Sequence, residues 1–139
     1  MRVSRLPQPT AAAPSEWVEG AAWVDEIATP EGQSRFRVDS VHFAPGARTA
    51  WHSHPFGQVL YVTQGAGLVQ SRGGEVHSIR AGDSVRIAPG EWHWHGASPT
   101  TFMTHLAIQE VADDGTEAER GAPVTESEYT ADTAAPPLR

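Results

Sequence analysis

Gly46-Ala47-Arg48-Thr49-Ala50-Trp51-His52-Ser53-His54-Pro55-Phe56-Gly57-Gln58 is the stretch that decides the fold of this chain. Residues 50–54 form a β-type run with two histidines two positions apart. Side chains alternate across a strand, so His52 and His54 point to the same side. Gln58 opens the next β-type run, and much later His93 opens another. If these faces turn inward, side chains from separate strands converge inside a barrel.

Working outward, the pattern persists. Residues 36–43 alternate and stop at Ala44-Pro45-Gly46. After 50–54 come short β-type runs at 58–63, 66–71, 75–79, 84–87, 93–97 and 102–109. Breakers separate them: Gly65, Gly73-Gly74, Gly82-Asp83, Pro89-Gly90 and Pro99. Strands at this spacing, with little helical periodicity, predict an all-β antiparallel sandwich or barrel. Upstream, 16–26 reads as a short strand and 30–33 as a turn. Residues 1–14, rich in Pro and Ala, read as a flexible N-terminal arm. The barrel is assigned to 15–111. Residues 112–139 form an acidic tail in which Thr125-Glu126-Ser127-Glu128 has capping-box spacing, predicting a short helical turn near Tyr129.

Composition limits the chemistry. At 139 residues, 39% hydrophobic and mean hydropathy −0.40, the chain suits one globular domain. No apolar run reaches the roughly 18 residues of a membrane span, and the N-terminus lacks the layout of a signal peptide. The expected compartment is the cytoplasm. There is no Cys, which excludes disulfides and thiolate chemistry, and no Lys, since all ten basic residues are Arg. His, Asp and Glu are left for acid–base work. Of the net charge of −7, residues 1–109 carry −1 and residues 110–139 carry −6. A nearly neutral barrel with an acidic tail is not expected to bind nucleic acid or membrane.

The histidine spacing is more specific. Gly46, five residues, His52, one residue, His54, three residues, Gln58, six residues, Gly65 resembles the first cupin motif, with Gln in place of Glu. Gly82 through Pro89-Gly90-Glu91-Trp92-His93 resembles the second, with Ala88 where proline is usual and Ala97 where asparagine is usual. Longer stretches, Pro89 to Ala97 and Met103 to Glu110 among them, resemble small bacterial cupins that include metal-dependent hydroxynitrile lyases. The resemblance implies a single-domain jelly-roll-type barrel that commonly pairs as a homodimer, with Trp17 and Trp23 available for that contact. It implies one divalent transition metal on His52, His54, Gln58 and His93, manganese first, with Fe, Ni, Co or Zn as alternatives.

A neutral Gln ligand leaves the cation its full charge. For an anionic oxygen roughly 5 Å from the missing carboxylate, at an effective dielectric near 20, the difference is about 3 kcal/mol. That favours Lewis-acid chemistry over high-valent iron. The leading expectation, which the resemblance implies, is a hydroxynitrile-lyase-like enzyme that reversibly cleaves a C–C bond at a hydroxyl-bearing carbon of a small molecule. His105 would be the general base, and His95 or Gln109 would donate to the departing anion. A dioxygenase of a phenolic or dicarbonyl substrate and a non-catalytic small-molecule-binding cupin are the alternatives. His95 shares the face of His93. Met103, His105, Ala107 and Gln109 share one face of their strand, and the resemblance, not the pattern, selects that face as inward. His42 is expected to face outward, His77 to be a surface or satisfied core residue, and Trp51, Trp92 and Trp94, which flank the ligands, to serve packing or a dimer contact.

Overall fold

The computed structural model describes residues 1–5 and 8–131. Twelve strands, β1 (Ala11–Ala12), β2 (Val18–Glu19), β3 (Ala22–Ala28), β4 (Phe36–Phe43), β5 (Arg48–Thr49), β6 (His52–Ser53), β7 (Gln58–Ser71), β8 (Val76–Arg80), β9 (Ser84–Ile87), β10 (His93–Ala97), β11 (Met103–Glu110) and β12 (Glu119–Arg120), precede one helical turn, α1 (Glu126–Tyr129). All pairing is antiparallel. The hydrogen-bonded order β1-β3-β4-β11-β7-β10-β5-β2 curls the sheet on itself, as an all-β barrel requires.

β7 closes the barrel. Its first half pairs with β11 and β9, its second with β10 and β8. The sequence pattern divides this segment at Gly65 into two runs, but the structure keeps one fourteen-residue strand. Gly65 turns the strand instead of ending it. Its φ of 78° is left-handed, and a Cβ there would strike the Phe102 carbonyl. The single run expected at 16–26 divides instead, because Gly20 (φ 85°) sends the chain from β2 on one sheet into β3 on the other. Part of the arm expected to be structureless is in the sheet. Ala11 and Ala12 pair with Val24 and Trp23.

The interior is layered. Phe43, Val62, Val69, Ile79, Ala97 and Met103 form an apolar plug, and polar side chains occupy the space above it. The chain after Val111 closes the outer wall. β12 pairs with β6, and Val124 and Tyr129 pack on Trp51 and Trp94. The capping box at Thr125 and Glu128 is formed, the Tyr129 hydroxyl donates to the Ala97 carbonyl at 2.6 Å, and Arg48 stacks over the Tyr129 ring. Among the described residues no helix is long and apolar enough to cross a membrane.

Candidate metal centre

In the pairing of β6 with β10, His93 lies directly across from His52. Residues directly opposed in an antiparallel pair project to the same side, and the two ring centroids are 4.2 Å apart. His54, just beyond β6, puts its ring 5.0 Å from that of His52 and 5.4 Å from that of His93. All three are buried. Backbone carbonyls set their tautomers. His52 Nδ1 donates to Ala50 at 2.8 Å, His54 Nδ1 to Glu117 at 2.8 Å, and His93 Nδ1 to Glu91 at 2.9 Å. A carbonyl only accepts, so the proton of each ring is on Nδ1 and Nε2 keeps a lone pair.

Gln58, at the start of β7, completes the group. Its Oε1 lies 3.3 Å from His93 Nε2. Two lone-pair atoms face each other there with no proton between them, and His54 Nε2 is buried without a hydrogen-bond partner. A cation relieves both conditions. Three imidazole nitrogens and an amide oxygen suit a divalent first-row metal, so the residues present fit the expected cofactor.

Burial lowers the pKa of every histidine here. His93 and His105 fall to about 4, His54 is lowered, and His52 and His95 go well below the usual value, helped by neighbouring His93 and His105 respectively. All are neutral at physiological pH, the form that binds metals and accepts protons.

His95 and His105 form a second layer beneath. His105 Nε2 is 3.0 Å from His95 Nδ1, both rings are buried, and Phe43 packs against both. The ligand atoms of His52, His93 and His95 lie within 4.8 Å of one another. Distance alone therefore groups His95 with the cluster, whereas carbonyl-fixed tautomers single out His52, His54 and His93. Gln109 reaches the same cavity and is engaged at both ends of its amide. Its Oε1 accepts from Gln58 Nε2 at 2.7 Å and its Nε2 donates to Glu117 at 2.8 Å. All seven sequence-selected residues thus fall in one chain of contacts, the His105 face of β11 being the inward one. His42 is outside, half-exposed between Asp25 and Thr104, and His77 is exposed. Trp51 and Trp94 pack under the tail. Trp17 lies edge-on over His52.

Three residues escaped the sequence reading. Glu117 supports His54 through its carbonyl and Gln109 through its carboxylate, and Arg37 is 2.8 Å from that carboxylate. Asp39 lies opposite Ala107, and Arg37 opposite Gln109, so both share the inward face. The alternation of 36–43 placed Arg37 and Asp39 on one face with Phe43, which was a usable signal. Nothing local marked Glu117. An open cleft of about 700 Å³, with Phe56, Ile87 and Pro89 in its walls, reaches Gln58 and Gln109 from the solvent side.

The cupin domain model matches residues 39–106. An (R)-mandelonitrile lyase of Granulicella tundricola is 45% identical over 130 residues, 93% of this chain and 98% of that one. The chain belongs to the cupin family. A crystal structure of a cupin-like protein from Thermotoga maritima resembles this cupin with a TM-score of 0.84 and 40% identity, over 91% of this chain and 95% of that one. The polyketide cyclase RemF of Streptomyces resistomycificus, at 20% identity and TM-score 0.66 over 94% and 92% of the two chains, shares the fold.

Proposed function

We propose that this cupin is a metal-dependent lyase that reversibly joins cyanide to an aldehyde, forming a cyanohydrin. The observation that carries the reading is the likeness to an (R)-mandelonitrile lyase across nearly the whole of both chains. The neutral His95–His105 pair buried beside the imidazole cluster supports it. His52, His54, Gln58 and His93 would hold the ion, which when bound supplies Lewis acidity to the substrate oxygen. His105, uncharged down to about pH 4, takes the hydroxyl proton. The oxygen electron pair forms the carbonyl, the C–C bond breaks, and cyanide leaves with its electrons. His95, or the second amide hydrogen of Gln109, donates to the departing anion. His105 then returns the proton, giving hydrogen cyanide. Apolar side chains in the cleft beside Gln58 suit an aromatic substrate.

The test is chiral analysis of mandelonitrile made by manganese-loaded protein from benzaldehyde and cyanide. We expect one enantiomer in excess, with His105→Ala slowing the reaction roughly 10²–10⁴-fold at unchanged metal content. A racemate at the background rate, or substrate-dependent oxygen uptake in its place, overturns the reading.

A further inference from the structure

Gln58 differs from a carboxylate ligand in one respect that the rest of the site must manage. Its amide has an oxygen end and a nitrogen end, and only the oxygen can bind a cation. The nitrogen end would turn two positive hydrogens toward the charge. Something has to hold the amide the right way round.

We propose that Glu117 is a positioning residue that fixes the polarity of the Gln58 amide through Gln109. The inference rests on the ligand assignment made above. It follows from which atoms can donate. Arg37 has only donors, and its Nε donates to Glu117 Oε2 at 2.8 Å. The Glu117 carboxylate only accepts, so the group 2.8 Å from its Oε1 is the Gln109 nitrogen. That turns Gln109 Oε1 toward Gln58, which must answer with its nitrogen, at 2.7 Å. Gln58 Oε1 is then left toward His93 Nε2 and the cavity. One donor-only end and one acceptor-only link set every amide between them. Glu117 also accepts from His54 Nδ1 through its carbonyl, so one residue orients two of the four ligands by separate routes.

Glu117→Gln tests the side-chain route and leaves the backbone route in place. Arg37 still requires an acceptor and takes the new amide oxygen. The amide nitrogen then faces Gln109, both downstream amides reverse, and Gln58 presents its hydrogens to the ion. Support of this kind around a metal is worth roughly 10- to 100-fold in affinity. The readout is the dissociation constant of manganese(II) alone for the full chain, by calorimetry after chelator treatment, with circular dichroism to verify folding. Glu117→Gln should weaken binding by that factor.

The same substitution in a Gln58→Glu background should act in the opposite sense. A carboxylate at position 58 needs the Gln109 nitrogen, which Glu117 is holding, and Glu117→Gln frees it. Manganese should therefore bind more tightly to the double variant than to Gln58→Glu alone. A merely structural role for Glu117 would weaken binding in both backgrounds, and that result overturns the relay. So does unchanged affinity in the single variant. A wild-type chain that binds no manganese overturns the ligand assignment, and the relay with it.

Discussion

Asp39 is a half-buried carboxyl on the inner face of β4, with one oxygen buried and unpartnered among the described residues. Burial raises its pKa to about 6; Arg37 opposes the shift, while Glu26 and Glu117 add to it. The folded state therefore prefers the protonated acid more than the unfolded chain does. Stability from this preference is complete below about pH 4 and is lost as pH rises through about 6. Asp39→Asn should melt with wild type near pH 4.5 and several degrees above it at pH 8, which thermal unfolding at the two pH values will check. Equal melting at pH 8 would mean that the carboxylate is well solvated. At this scale the ligands were legible because His52, His54 and Gln58 sit within seven positions of sequence, where strand alternation fixes relative facing. Glu117 was not. Its bond to His54 spans 63 positions and its bond to Arg37 spans 80, and no periodicity reports such contacts.

Among the elements, β7 departs most from its sequence pattern. Glycine there reads as punctuation, and the structure uses it for close approach. At Gly67 a Cβ would meet the Gly96 carbonyl and the Met103 sulfur, where β11 takes over from β10 along the same edge of β7. Gly67→Ala should lower unfolding stability by about 1–3 kcal/mol or more, as overpacking does. Gly74→Ala, in the exposed turn between β7 and β8, has its nearest contact at 3.3 Å from the Ser71 carbonyl and should cost far less. Denaturant titration of the pair decides it, and equal losses would contradict the crowding account. The remaining strands were readable because Pro and Gly fall at real turns, while β1, β5 and β12, two residues each, are defined by their partners and have no pattern of their own.

For the whole molecule, the outer face of the sheet containing β3, β4, β11 and β7 carries exposed apolar side chains around the Asp25–His42–Thr104 group. Trp23, Phe36 and Tyr61 are 43–58% exposed there, with Val38, Leu106 and Ile108 between them. We propose that a second copy covers this patch, which contains Trp23, one of the two residues expected at a homodimer contact. Sedimentation velocity should show a dimer, and Trp23→Glu with Tyr61→Glu should yield monomers that keep their circular dichroism spectrum. A monomer in the unaltered protein removes the proposal. A stable contact needs about 800 Å² from each partner. Trp17 packs on His52 and takes no part in this face.

The carbonyl that orients His54 belongs to Glu117, and the strand that flanks His52 is Glu119–Arg120. Both arrive some sixty residues after the histidines they serve. A nascent chain that has emerged only as far as β11 carries every proposed ligand, yet His54 lacks the carbonyl that orients it and β6 lacks its outer neighbour. If the four proposed ligands hold an ion, the site is fully supported only once residues 117–120 are in place. A chain ending before residue 117 should bind manganese(II) roughly 10- to 100-fold more weakly than the full chain, which calorimetry of the two will check.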